Sequence, residues 1–182
     1  MLTMYFIVWM LPVILMLHDF EEIIMAEGWA KKYGEVTNIP FTKDKPFALT
    51  YINRCYTPTF ASGVCMVFTS FTIVSLFSVI FNSYLIWFAF FIGLAFHFVV
   101  HVAMCLRFHH YVPGVVTAVP FLIPNILFLN EAEKILRYGT LTILVTCAVV
   151  LVLLFIILPA MHKLIGHISK YICRYTENTV NK

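Results

Sequence analysis

Long apolar runs, each about as long as a membrane-spanning helix, make up most of this chain. A helix needs roughly 20 residues to cross a hydrocarbon core of about 30 Å. Because 62% of the residues are hydrophobic and only 12% are charged, the runs predict an all-α, polytopic membrane helical bundle. We expect a single membrane domain over residues 1–182 with five transmembrane helices, at residues 2–26, 60–81, 84–107, 112–129 and 139–159.

Basic residues between the runs predict the orientation of the chain. With five spans, the loop at 27–58, Arg107 and the basic tail at 160–182 lie on one side of the membrane, which then holds ten of the twelve Lys and Arg residues. The other side has only Lys134 and Arg137. The positive-inside rule therefore predicts an external N-terminus and a cytoplasmic C-terminus. Contact with membrane lipids then accounts for the net charge of +3, and we expect no nucleic-acid partner.

Ionisable residues lie inside the first and third runs. His18, Glu21 and Glu22 are in the first run, and His97 and His101 are in the third. A carboxylate at the centre of a membrane helix costs about 2.5–3.5 kcal/mol, so these groups need a compensating partner. At about 1.5 Å per residue, His18 and His101 lie roughly 12 Å and 9 Å from the inner ends of their helices. The two sets of side chains can therefore meet near the cytoplasmic leaflet.

Imidazoles and carboxylates together are a typical ligand set for a divalent metal. We expect His18, Glu22, His97 and His101 to bind the metal, with Glu21 as a bridging ligand or as the catalytic base. Zinc is the favoured metal and iron is the alternative. A buried hydrogen-bonded cluster that only fixes helix packing is the structural alternative.

Two residues of the following loop extend this set. His109 is a further candidate ligand, although a loop histidine can equally lie at the membrane interface. Tyr111 is a candidate catalytic residue that hydrogen-bonds a substrate, or else an interfacial anchor that precedes the next helix.

These residues resemble a bacterial membrane protein family that is defined by an HXXEE motif. The motif corresponds to His18-x-x-Glu21-Glu22 here. Histidines in a later span and a Tyr-x-Pro-Gly segment correspond to His97, His101 and residues 111–114. The resemblance covers roughly residues 10–160 and implies a multi-pass protein of the bacterial plasma membrane. It implies nothing about the substrate, because the family is described as being of unknown function.

The residues favour a metal-dependent enzyme. We expect a hydrolase that acts on a lipid, or on another apolar or lipid-linked small molecule, at the cytoplasmic leaflet, with Glu21 activating water. One alternative is a di-iron membrane oxidoreductase. The other is a transporter or sensor in which the same residues relay protons or metal ions.

Overall fold

A computed structural model describes residues 3–33 and 56–180 of the chain. The described residues form helices and no strands, which confirms the all-α prediction. Most of the predicted loop at 27–58 lies outside the described residues. The helices are α1 (Met4–Tyr33), α2 (Tyr56–Phe81), α3 (Leu85–Phe108), α4 (Val115–Leu136) and α5 (Thr140–Val180).

Three segments within the described residues are long and apolar enough to cross a membrane. They are Thr57–Phe81 in α2, Leu85–Phe108 in α3 and Val115–Leu136 in α4. The chain is therefore a membrane protein. Helices α1 and α5 are not among these three, so five spans and their orientation stay predictions.

A proline in α1 fixes how this helix packs against its neighbours. Pro12 has no N–H, so the carbonyl of Val8 has no partner within the helix. The side chains of Ser75 in α2 and Trp87 in α3 donate to that oxygen instead, at 3.1 Å and 3.0 Å. Because lipid cannot satisfy a backbone carbonyl, these two bonds hold α2 and α3 against α1.

Helix α1 continues past its predicted end at residue 26. In this extension Glu27 accepts hydrogen bonds from Lys31 at 2.7 Å and from Thr57 at 2.5 Å. These hydrogen bonds lower the pKa of the Glu27 carboxyl, and the bond from Lys31 has the larger effect. The contact with Thr57 attaches the C-terminal end of α1 to the start of α2.

Helix α5 is much longer than its predicted span at 139–159. It contains 41 residues and continues through most of the predicted basic tail. At 1.5 Å per residue it is about 60 Å long, roughly twice the thickness of a hydrocarbon core. Its distal half packs on α2, where Thr59 donates to Ser169 at 3.0 Å and Gly63 makes room for Ile165.

Candidate metal centre

Four side chains from α1 and α3 converge on one point inside the bundle. His18 and Glu22 lie one turn apart on α1, and His97 and His101 lie one turn apart on α3. One ligand atom from each residue lies within 4.8 Å of the other three. His18 and His101 have no exposed surface, Glu22 is 7% exposed, and His97 is partly buried. This is the set of four ligands predicted above, and it can hold a metal ion.

The spacing of these atoms fits a single small cation. His97 Nε2 lies 3.2 Å from His18 Nε2 and 3.0 Å from His101 Nε2. Glu22 Oε1 lies 2.9 Å from His101 Nε2 and 3.7 Å from His18 Nε2. Four ligands at the zinc bond length of about 2.0–2.1 Å form a tetrahedron with edges of about 3.3 Å. Four of the six atom pairs are 2.9–3.7 Å apart, close to that value, and all of the ligand atoms lie within 4.8 Å of one another.

Hydrogen bonding alone does not account for the contacts of His97. An imidazole nitrogen either donates one proton or accepts one. His97 Nε2 touches two other Nε2 atoms, those of His18 and His101, so a hydrogen bond can satisfy only one of these contacts. A cation would accept the lone pairs of all three nitrogens together. Binding of a cation would therefore satisfy contacts that hydrogen bonds alone leave unsatisfied.

A glycine in the turn between α3 and α4 lets the backbone approach two of the imidazoles. Gly114 has φ +90°, in the left-handed region that other residues avoid. A Cβ atom there would lie 2.7 Å from His101 Cε1 and 2.9 Å from His18 Cε1. The preceding Val112 and Pro113 are also buried. The Tyr-x-Pro-Gly segment thus covers the cluster with backbone.

Glu21, predicted as bridging ligand or base, is not one of the four residues of the cluster, and its role stays a prediction. Its Oε1 accepts hydrogen bonds from Tyr111 Oη at 2.7 Å and from Val116 N at 3.2 Å. Its Oε2 accepts two from Thr117, through the backbone N–H and the hydroxyl, both at 2.7 Å. Since Val116 and Thr117 are in the first turn of α4, Glu21 satisfies free N–H groups at a helix N-terminus.

Tyr111 connects the turn to Glu21. Burial, followed by its hydrogen bond to Glu21, raises the pKa of the Tyr111 hydroxyl, which therefore stays a donor. This contact places Tyr111 beside the cluster and not in it. The structure does not bring His109 to the cluster either: it is exposed, with φ 56°, at the C-terminal end of α3.

Thr117 is the residue near the site that sequence reasoning missed. Its hydroxyl lies 2.9 Å from His18 Nδ1 and thereby joins His18 to Glu21. A threonine in an apolar run carries no distinctive signal. Its place three residues after Gly114, in the first turn of α4, is the one indication that the sequence offers.

Comparison with known proteins identifies a family and no activity. No curated protein and no solved structure matches the chain. The family described as "Protein of unknown function with HXXEE motif" matches residues 9–129, which include all four residues of the cluster. This match covers more than half of the 182 residues. The chain therefore belongs to the HXXEE family.

Proposed function

We propose that this protein is a metal-dependent enzyme of the hydrolase type in the bacterial plasma membrane. Its substrate is a lipid, or another apolar or lipid-linked small molecule, at the cytoplasmic leaflet. The observation that carries the proposal is the buried convergence of three imidazoles and one carboxylate between α1 and α3. Buried ionisable groups in a membrane bundle are costly and mark functional sites.

Zinc is the metal that we favour, because three imidazoles and a carboxylate suit its tetrahedral coordination. Zinc lowers the pKa of bound water and polarises a carbonyl or phosphoryl oxygen. His18, His97 and His101 hold the ion. Glu22 is the one carboxylate of the described cluster, so it serves as fourth ligand and, when it moves, as proton acceptor. The four hydrogen bonds to Glu21 make that carboxylate less suited to be the base.

The location of the site supports a substrate from the inner leaflet. His101 lies seven residues before the end of α3 at Phe108, a distance of about 10 Å along the helix. We propose five spans with an external N-terminus, so that this end of α3 faces the cytoplasm. The basic residues support this orientation by the positive-inside rule.

The composition of the cluster bears on the two alternatives. Di-iron sites in helical bundles use several bridging carboxylates, whereas the described cluster has only Glu22. One metal ion per chain is therefore favoured over two. A relay or sensor is the second candidate, because four protein ligands complete a tetrahedral shell as structural sites do.

Lipid analysis of bacterial membranes tests the enzymatic proposal. Cells that express the wild type, His101→Ala or His109→Ala are compared by lipid mass spectrometry, with membrane insertion checked by immunoblotting. His109→Ala is the matched control, since His109 is exposed and outside the cluster. We expect lipid species to change with the wild type and His109→Ala and not with His101→Ala. Identical lipids in all three strains would reject a membrane lipid as the substrate and favour the relay.

A further inference from the structure

The second ring nitrogen of His18 begins a chain of hydrogen bonds that leads away from the cluster. His18 Nδ1 lies 2.9 Å from the Thr117 hydroxyl. That hydroxyl lies 2.7 Å from Glu21 Oε2 and 3.2 Å from the Gly114 carbonyl. Both of these oxygens only accept, and the hydroxyl has one proton to give. The shorter bond goes to the charged carboxylate, as expected for a charge-assisted hydrogen bond.

This direction fixes the tautomer of His18. Because the Thr117 hydroxyl donates to Glu21, it accepts the proton of His18 Nδ1–H. The neutral ring then has its lone pair on Nε2, which is the atom that faces His97 and Glu22. His18 is thereby held in the protonation state and ring orientation that a metal ligand needs.

The far end of the chain is held rigidly. Glu21 is attached to the first turn of α4 by the N–H groups of Val116 and Thr117, and to the turn by Tyr111. The favourable field at a helix N-terminus also stabilises its negative charge. Thr117 belongs to this same turn of α4, and both its N–H and its hydroxyl donate to Glu21.

We propose that Thr117 and Glu21 are positioning residues that orient His18 for metal binding through the bonds Glu21–Thr117–His18. This inference rests on the metal centre proposed above. Under this proposal the three residues of the motif have different roles. His18 and Glu22 contact the metal, and Glu21 orients His18 through Thr117. The threonine is thus a functional part of the site although it lies 99 residues from His18.

Cobalt binding to the purified full-length protein tests this assignment. Co²⁺ has visible absorption bands that respond to ligand geometry, and its affinity is measured by competition with a coloured chelator. Thr117→Val keeps the side-chain shape and removes the hydroxyl, whereas the matched Thr117→Ser keeps the hydroxyl. We expect Thr117→Val to weaken Co²⁺ binding by about 10–100-fold and to shift the bands. Thr117→Ser should keep the Co²⁺ affinity and the absorption bands of the wild type.

The outcomes separate this inference from the metal centre itself. If the wild type and Thr117→Val bind Co²⁺ with equal affinity and identical spectra, the positioning role is rejected and the metal centre stands. If the wild type binds no Co²⁺, the metal centre is rejected. If Thr117→Val does not fold, Glu21→Gln replaces it: a shifted spectrum supports the positioning role, and an unchanged spectrum rejects it.

Discussion

Glu21 and Glu22 are adjacent in sequence but point about 100° apart around α1. Glu22 lies 2.9 Å from His101 on α3, while Glu21 meets the N-terminus of α4. The helical spacing could predict that His18 and Glu22 share a face. Which acid would face which helix could not be predicted, because it depends on where α4 packs and α4 contributes no residue to the motif.

A buried amide in α4 makes a prediction at the residue scale. Asn125 has no exposed surface, and neither of its amide atoms has a hydrogen-bond partner within the described residues. Such groups cost about 1–3 kcal/mol. Leucine has the same branching and number of heavy atoms, so Asn125→Leu should raise the free energy of unfolding by about 1 kcal/mol.

Thermal unfolding in detergent measures this change, with bound metal as the control. We expect a higher unfolding midpoint and unchanged metal content. A lower midpoint would show that Asn125 has a polar partner that its removal leaves unsatisfied.

At the scale of elements, the turn between α3 and α4 determines the geometry of the site. It brings Gly114 against the rings of His18 and His101 and starts α4 where Glu21 can accept its N–H groups. The sequence predicted that a helix begins just after Tyr111. The backbone cover over the imidazoles could not be predicted, because it requires the relative positions of three helices.

The extension of α5 beyond its predicted span was missed because its sequence after residue 159 becomes polar.

Gly114→Ala tests the role of this turn. The added Cβ would lie 2.7 Å from His101 Cε1. The left-handed backbone conformation costs an alanine about 1–2 kcal/mol in addition. We expect at least about tenfold weaker metal binding, since one imidazole must move. Gly28→Ala is the matched control, because a Cβ at Gly28 meets nothing within 4 Å. Equal metal affinities of the two variants would contradict this role for the turn.

At the scale of the whole molecule, the apolar runs predicted three spanning helices near α2, α3 and α4, because hydrocarbon imposes a length and a composition on a spanning helix. Helix α4 ends at Leu136, beyond the predicted end at residue 129. Helix α1 is not among these apolar helices, and it carries ionisable residues of the site. Side chains of α3 and the first turn of α4 contact those ionisable groups, and sequence hydropathy does not contain such contacts.

A reporter fused after Lys182 tests the orientation of the bundle. With five spans and an external N-terminus, a phosphatase that works only outside the cytoplasm should be inactive there, and a fluorescent protein that matures only inside should be bright. The same reporters placed after Tyr138 serve as the control and should give the opposite result. An active phosphatase after Lys182 would reject the proposed topology and the cytoplasmic position of the site.

The metal content of the purified protein tests the central claim most directly. Elemental analysis should find about one divalent metal ion, zinc by preference, per wild-type chain and per chain of His109→Ala. The metal should be lost from the four single alanine variants of the cluster, at His18, Glu22, His97 and His101. Full metal content in those variants, or none in the wild type, would contradict the claim that these residues form a metal centre.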